Sequence, residues 1–237
     1  MQTVGSGAAG EIRARLADPS RSVRIGAAWA LRAELDTNSP AGRELLHSLE
    51  LTADQPAGQV QQGAFYFARG DLAEALAHFE RAVAWDTNSA PIRREYAVAL
   101  GAANRNPEAL EQLLAACRLA PGEASYVFEL GLAWNEAGDL PKAIEQFEKA
   151  VKLDAHLDRA WYNLGLARNA AGQVEPALDA LNHAQAAAPN DPRIPYAAAT
   201  ILARAGRVGE AEAAARRALM LQPDFPEAAQ LLRVLAR

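Results

Sequence analysis

The feature that most constrains this sequence is an internal repeat, which appears when the chain is shifted against itself by 34 positions. This shift aligns two columns that contain only alanine and a third that contains glycine or asparagine. The alanine columns are Ala75, Ala109, Ala143, Ala177 and Ala211, and then Ala82, Ala116, Ala150, Ala184 and Ala218. The third column is Gly70, Asn104, Gly138, Gly172 and Gly206. A period of this length indicates units that bury their apolar surface only by stacking on a neighbour.

Small residues in this repeat indicate where helices approach each other closely. A fourth column contains only glycine or alanine, at Gly63, Ala97, Gly131, Gly165 and Ala199. A larger side chain there would clash with a facing helix, at a cost of about 1 to 3 kcal/mol. The glycine and asparagine column suits the left-handed backbone that ends a helix. Each unit is therefore predicted to be a helix, a short turn and a second, antiparallel helix.

The composition agrees with helices and argues against several classes of function. Half of the residues are apolar and 56 of the 237 are alanine, which suits closely packed helices better than a β-sandwich. A net charge of −5 provides no basic field for a nucleic-acid backbone. The single cysteine, Cys117, cannot form an internal disulfide, and the four histidines lack metal-binding spacing. We expect no cofactor, no metal, no nucleic-acid partner and no catalysis.

The first residues do not have the pattern of a targeting segment. They lack the basic and apolar regions of a secretory signal, and no apolar run approaches the roughly 18 residues that span a bilayer. We expect a soluble chain without membrane insertion, cytoplasmic by default and periplasmic if it belongs to an exported parent protein. Residues 5–10 match GxGxxG, but only four residues precede them, so we interpret them as a flexible leader.

At these positions the chain resembles the tetratricopeptide repeat family. The family pattern is clearest at Trp161, Leu164, Gly165, Ala177, Leu181, Ala184 and Pro189. Five units run without insertion, at 56–89, 90–123, 124–157, 158–191 and 192–225, and residues 226–237 are predicted to form a closing helix. The resemblance implies an all-α, right-handed solenoid of stacked antiparallel helix pairs.

Five residues depart from the family pattern. They are Gln59, Gln62, Arg93, Arg168 and Pro195. All lie in the first helix of a unit, at places where the pattern expects apolar or aromatic packing. We predict that they shorten or loosen those first helices locally without changing the fold.

The amino-terminal fifth has two overlapping interpretations. Residues 22–55 form a degenerate unit in the same register, with Trp29 where glycine or alanine is expected. Residues 12–35 also resemble a HEAT repeat, because Asp18 and Arg24 precede the apolar residues of a second helix. We expect a leader and capping helix within 1–21, with the helix near 9–17, and then helices near 21–35 and 39–52. Asp18 and Arg24 are interpreted as a turn residue and a surface pair.

A HEAT-like segment followed by tetratricopeptide units resembles the tail regions of some bacterial multihaem c-type cytochromes. The haem attachment motif of that family, CxxCH, does not occur in the sequence. If the resemblance holds, the chain is the accessory portion of a larger electron-transfer protein.

One face of each first helix forms a candidate binding surface, here called the first-helix stripe. Its residues recur at spacings of three, four and three, which places them on one helical face. They are Ala57, Val60, Ala64 and Phe67; Pro91, Arg94, Val98 and Gly101; Ser125, Phe128, Leu132 and Asn135; Arg159, Tyr162, Leu166 and Asn169; and Arg193, Tyr196, Thr200 and Ala203. A merely solvated face would be charged throughout. The family resemblance implies that the first helices line a concave groove.

The stripe supports a specific binding hypothesis. Apolar anchors for a peptide are predicted at Phe128, Leu132, Tyr162, Leu166 and Tyr196. Amides that bond the peptide backbone are predicted at Asn135, Asn163 and Asn169. Cations that meet acidic groups are predicted at Arg94, Arg159 and Arg193. The open alternative is that the aromatic rings pack sideways against neighbouring helices and the groove stays empty.

The sequence therefore predicts a protein-interaction scaffold that binds a partner peptide or protein segment in the groove. A first alternative is a self-assembling structural module, in which another copy fills the groove or an open end of the stack. A second alternative is an accessory domain of a larger enzyme, which a longer reading frame with CxxCH motifs would establish.

Overall fold

The computed structural model describes residues 4–236, with side chains described from residue 8. Across this range it contains fourteen α-helices and one short 3₁₀ helix, and no strand. The chain divides into two compact units, Met1–Leu119 and Ala120–Arg237. None of the helices in the described range combines the length and apolar character needed to cross a bilayer.

The first unit contains seven α-helices in its described part. They are α1 (Val4–Ala14), α2 (Arg21–Ala30), α3 (Pro40–Glu50), α4 (Pro56–Ala68), α5 (Leu72–Trp85), α6 (Ala90–Ala102) and α7 (Asn106–Leu119). The 3₁₀ helix, Arg15–Ala17, follows α1 directly. Neighbouring helices pack in pairs, α4 with α5 and α6 with α7, and α5 also packs on α6.

The second unit repeats this arrangement with seven helices in residues 120–236. They are α8 (Ala124–Glu136), α9 (Leu140–Leu153), α10 (Asp158–Ala170), α11 (Val174–Ala187), α12 (Arg193–Arg204), α13 (Val208–Leu221) and α14 (Pro226–Leu235). The pairs α8 with α9, α10 with α11 and α12 with α13 have the most extensive contacts, and α9 packs on α10. The predicted all-α fold of stacked helix pairs is confirmed.

The turn inside each pair has the predicted left-handed residue. Positive φ angles occur at Gly70 (83°), Asn104 (58°), Gly138 (78°), Gly172 (77°) and Gly206 (74°). Residues with a Cβ rarely adopt this region, because the Cβ approaches the following carbonyl oxygen. These residues end the first helix of five pairs at the same position of the repeat. In each pair the chain then turns, and the second helix runs back along the first.

The alanine columns form the seams between paired helices. All ten members of the two columns are buried. The glycine column explains how closely the helices approach: a Cβ on Gly131 would lie 2.6 Å from Cδ1 of Phe147, and one on Gly165 would lie 2.8 Å from Cγ of Leu181. The predicted role of the small residues is therefore confirmed.

The four polar departures do not shorten their helices, since α4, α6 and α10 keep 13 residues each. Helix α12, which contains Pro195, has 12 residues and begins one position later in the repeat, so the predicted shortening is confirmed there. The polar departures are held by new hydrogen bonds: Gln62 donates to the carbonyl of Leu49 (3.2 Å), and Arg168 donates to Glu148 (2.8 Å). A satisfied polar side chain can replace an apolar one at such a position without disrupting the helix.

The amino-terminal helices differ from their predicted bounds. Residues 5–10, predicted to be a flexible leader, belong to α1, which packs against the 3₁₀ helix and α2. Helix α2 ends at Ala30 instead of near residue 35, because residues 31–34 form tight turns with hydrogen bonds such as Arg32 to Trp29 (3.3 Å). Helix α3 ends at Glu50, close to its predicted end.

Arg24 does more than the predicted surface pair with Asp18. Its guanidinium donates to both carboxylate oxygens of Glu44 on α3 (2.8 and 2.6 Å) and to the backbone carbonyl of Asp18 (2.7 Å). The hydrogen bond from Arg24 lowers the pKa of the Glu44 carboxyl below its ordinary value. Arg24 therefore joins α2, α3 and the turn between the 3₁₀ helix and α2. The Asp18 carboxylate instead accepts from the backbone N–H of Ser20 (2.9 Å).

A buried histidine predicts that the first unit loses stability in acid. His78 on α5 is buried, stacks on Tyr66 with ring centroids 5.3 Å apart, and has Nδ1 2.8 Å from Oε1 of Gln59. Burial lowers the pKa of His78, and the positive charge of Arg81 adds to this effect. The folded protein thus resists a proton that the unfolded chain accepts.

We expect stability to fall as the pH drops below about 6.5, the ordinary histidine pKa, because the unfolded state then binds more protons than the folded state. His78→Gln should reduce this slope between pH 7 and pH 5. The measurement is the urea midpoint at several pH values, with His156→Gln at an exposed position as the control. An unchanged slope in His78→Gln would show that another group carries the acid sensitivity.

Candidate functional site

The first-helix stripe of the second unit contains most of the predicted binding residues. It runs along α8, α10 and α12, and the start of each helix reaches the preceding one. The Arg159 guanidinium of α10 lies 5.1 Å from the centre of the Phe128 ring of α8. In the same way, burial raises the pKa of the Tyr162 hydroxyl of α10, and the positive charge of Arg193 at the start of α12 partly opposes this rise. Side chains from successive first helices therefore cover one another along this surface.

Phe128 is buried, contrary to the prediction that it anchors a bound peptide. Only 4% of its surface is exposed, and its ring lies 5.9 Å from the ring of Phe147 on α9. Arg159 covers the remaining side of the ring. Phe128 therefore belongs to the seam between α8 and α9, as the sideways-packing alternative predicts, and it presents no ring to a ligand.

The two predicted tyrosine anchors are half-buried. Tyr162 packs partly against the core between α11 and α12, and burial raises the pKa of its hydroxyl above the ordinary value. The ring of Tyr196 lies 4.9 Å from the ring of Phe225, which precedes α14. Each ring therefore keeps one part in the core and has another part accessible to a partner.

The predicted leucine anchors are more accessible. Leu166 on α10 is 37% exposed, and Leu132, its equivalent one repeat earlier on α8, is half-buried. Asn135 and Asn169 occupy equivalent positions one turn further along the same helices, where Asn135 is exposed and Asn169 half-buried. The pairing of an apolar side chain with an amide one turn away is the arrangement that the sequence predicts.

Several predicted polar contacts are already used within the chain. The amide of Asn163 donates to the carbonyl of Arg159 (2.7 Å), and the Nε of Arg193 donates to Oδ1 of Asp191 (2.9 Å). In the first unit, Arg94 donates to Glu95 (2.8 Å). These bonds occupy part of the hydrogen-bonding capacity of Asn163, Arg193 and Arg94. Arg159, by contrast, is exposed and has no ion pair among residues 4–236.

The first unit has a cleft on its own part of the stripe. The cleft has a volume of about 650 Å³ and lies between the amino-terminal ends of α4 and α6. Two of its lining residues, Ala57 and Val60, are stripe residues, and Ile92 closes it from α6. Two of its polar lining residues, Asp86 and Ser89, were not predicted from the sequence, because they lie in the connection between helix pairs and outside the 3-4-3 spacing.

A second cleft, also of about 650 Å³, lies away from the stripe. It is enclosed by α11, α12 and α13 in the second unit and was not predicted from the sequence. One signal could have revealed it: Pro195 and Ala198 stand one repeat after Trp161 and Leu164, so two large side chains are missing at that place in the repeat.

The described residues offer little for metal or nucleophilic chemistry. Between residues 4 and 236, no group of three or more His, Cys, Asp or Glu side chains is arranged to hold a metal ion. Cys117 is buried on α7, and a thiol needs exposure and a lowered pKa to react as a nucleophile.

The tetratricopeptide repeat family matches this chain at residues 97–158 and again at residues 135–194. Among curated proteins, no sequence matches the chain significantly. The matched segments run from α6 to the start of α12 and include three of the five left-handed turns, at Asn104, Gly138 and Gly172, and 11 of the 20 stripe residues.

Solved structures share the fold at low sequence identity. YrrB, described as a TPR protein with an unusual peptide-binding site, is 18% identical with a TM-score of 0.67, over 79% of this chain and 97% of YrrB. MamA 41-end from Desulfovibrio magneticus RS-1 is 19% identical with a TM-score of 0.63, over 76% of this chain and 97% of that one. TTC0263, a thermophilic TPR protein in Thermus thermophilus, is 20% identical with a TM-score of 0.55, over 76% of this chain and 98% of that one.

These three likenesses concern the fold, since identities this low carry no information on partners. They agree with the helix pairs described above and with the segments matched by the family. Residues 97–194 are therefore similar to tetratricopeptide repeats.

Proposed function

We propose that this protein is a non-catalytic interaction scaffold that binds a peptide or an extended segment of a partner protein. The binding surface is the first-helix stripe of the second unit. We also propose that five repeat units span residues 56–225 and that residues 226–237 close the array. The observation that carries the proposal is the exposed apolar surface at Leu166, flanked by amides that can bond a peptide backbone.

The chemistry of the stripe supports a peptide as the ligand. Leu132 and Leu166 supply apolar surface, and Asn135 and Asn169 supply donors and acceptors beside it. Exposed apolar surface rimmed by polar groups is typical of protein interaction sites. Arg159 adds a cation without an ion pair among the described residues, which favours an acidic side chain in the bound peptide.

The fold neighbours also support a binding role. YrrB, which shares the fold at 18% identity, is described with a peptide-binding site. That site belongs to YrrB, and the proposal for this chain rests on its own residues.

The test is selection of binding peptides from a random library displayed on phage, using the full chain as bait. Leu166→Glu should weaken the selected peptides about tenfold or more, because it places a charge where apolar contact is needed. The matched control is Leu153→Glu, since Leu153 is similarly exposed (42%) but lies at the end of α9. Peptides that bind both variants and the parent chain equally would refute the stripe as the site.

Self-assembly is a second candidate because large apolar side chains are exposed outside the stripe. Met220 on α13 is 82% exposed and Val234 on α14 is 59% exposed. A second copy that covers these residues would form a stable oligomer. Light scattering over a dilution series tests this: an oligomer that Met220→Lys with Val234→Lys dissociates would favour assembly, and a monomer at all concentrations would exclude it.

An accessory role in a longer electron-transfer protein, with a HEAT-like amino-terminal segment, is the remaining part of the proposal. The link from Arg24 to Glu44 and to the Asp18 carbonyl supports a tightly joined helix pair at this end. A longer reading frame that carries CxxCH motifs would support the accessory role, and a frame without them would exclude it.

A further inference from the structure

The cleft enclosed by α11, α12 and α13 is separate from the stripe on which the proposed function rests. Residues of α11, α12 and α13 line it. Its large apolar lining residues are Leu178, Leu181, Ile194, Pro195 and Leu202, and the smaller ones are Ala198, Ala213 and Ala214. A concave apolar surface of about 650 Å³ with a few polar groups at its edge has the character of a binding pocket.

The cleft lies where one repeat has small side chains at two positions that carry large ones in the preceding repeat. In three other repeats, the residue equivalent to Pro195 reaches the second helix of its own pair. Gln59 lies 2.8 Å from His78, Arg93 donates to Gln112 (2.9 Å), and the Trp161 ring stacks on the His183 ring with centroids 4.3 Å apart.

Pro195 has no side chain long enough to make such a contact. Ala198 likewise stands where Leu164 is fully buried one repeat earlier. The indole ring and the leucine that α10 carries at these two positions are therefore absent from α12, beside the cleft.

Two arginines line the cleft, and among the described residues only one of them is paired with acidic side chains. At the amino-terminal end of its walls, Arg207 is bound by Glu175 (2.7 Å) and by Glu210 (2.7 Å). Toward the other end stands Arg217, which is exposed and forms no ion pair or side-chain hydrogen bond with any residue of the range 4–236. Arg217 follows His183 by one repeat, so it occupies the place of the ring that stacks on Trp161.

We propose that this cleft binds an aromatic side chain of a partner peptide that carries a carboxylate next to it. The ring takes the place of the missing indole, lying over Pro195 and Ala198 and stacking on the Arg217 guanidinium. The carboxylate pairs with the edge of the same guanidinium. Arginine can stack on an aromatic face and pair with a carboxylate at the same time, which a histidine or lysine does less well.

The chain itself supplies the argument for this occupant. Its own Trp161 with His183 shows that a ring at this point of the repeat stacks on a side chain of the second helix. Replacing the histidine with an arginine that lacks an acidic partner among the described residues adds a requirement for negative charge. A purely apolar ligand would leave that cation unmatched.

The test uses the full chain labelled with ¹⁵N and the peptide acetyl-Asp-Trp-Asp-amide as probe, followed by amide chemical shifts. We expect saturable shifts confined to α11, α12 and α13, and about tenfold weaker binding of acetyl-Lys-Trp-Lys-amide, because the charge-assisted contact is replaced by repulsion. Shifts on the stripe of α8 and α10 instead, or equal binding of both peptides, would overturn the proposal.

Variants separate the cleft from the rest of the surface. Ala198→Leu restores the side chain present at Leu164 and should abolish binding, with melting followed by circular dichroism to confirm folding. Arg217→Gln changes an exposed residue, so the fold is preserved, and it should weaken the acidic peptide about tenfold. Arg216→Gln is the matched control, because Arg216 already pairs with Glu212 (2.7 Å) and should leave binding unchanged.

Two further variants distinguish the cleft from the stripe. Asp179→Asn removes a carboxylate of α11 that lines the cleft and repels an acidic peptide, so binding should be tighter. Leu166→Glu should leave this peptide unaffected, so loss of stripe binding and loss of cleft binding are distinguishable. Binding that survives both Ala198→Leu and Arg217→Gln would disprove the cleft as the site.

Discussion

Phe147→Ala is expected to lower the free energy of unfolding by about 3 to 5 kcal/mol. Only 1% of the Phe147 surface is exposed, and its ring fills the seam between α8 and α9 beside Phe128 and Gly131. Truncating the ring leaves a cavity that rigid helices on both sides cannot close. Urea unfolding followed by circular dichroism measures the loss.

The same seam allows a double-mutant cycle with Gly131. Gly131→Ala alone should cost about 1 to 3 kcal/mol, because its Cβ would lie 2.6 Å from two atoms of the Phe147 ring. Added to Phe147→Ala, the same change should cost little, since the methyl group enters the vacated space and alanine favours a helix. Strictly additive effects would show that the two residues do not share a seam.

Gly58→Ala is expected to lower the free energy of unfolding by about 3 kcal/mol. Gly58 is buried in the first turn of α4, and a Cβ built on it overlaps the carbonyl oxygen of Thr52 in the turn after α3. The obstacle is backbone, which cannot rotate away as a side chain does. Either the connection between α3 and α4 must therefore move, or α4 must move away from α3.

Gly26→Ala is the matched control for this change. Gly26 lies inside α2 with nothing within 4 Å of a built Cβ, so the substitution should raise stability by about 0.5 to 1 kcal/mol through helix propensity. Urea midpoints of the two variants should move in opposite directions. A Gly58→Ala protein as stable as the parent would show that the contact between α4 and the preceding turn is looser than described.

The repeat made much of the fold predictable from the sequence. A column such as Gly70 and Gly138 requires positive φ, and a column such as Ala75 and Ala143 requires close approach, because each position carries a local steric rule. Because the period is fixed, the same local rule applies in each unit and predicts a series of helix pairs. The structure has the predicted left-handed turns and buried seams at these positions.

The candidate site was less predictable, because exposure depends on neighbours that are far apart in sequence. The 3-4-3 spacing correctly puts Phe128 on one helical face with Leu132, but it contains no information on Phe147 or Arg159, which cover the Phe128 ring. The hydrogen bonds of the polar departures were likewise not predictable from the spacing. Gln62 donates to the carbonyl of Leu49, which belongs to the preceding helix.

The sequence alone determined the unit, its length and its seams, since glycine, alanine and helix periodicity act through local sterics that no distant contact alters. Only the tertiary structure decided which surfaces remain open. Burial of Phe128 and the cleft beside Pro195 both depend on side chains that packing brings from other helices. Because such contacts join different helices, they follow from packing rather than from the periodicity of one helix.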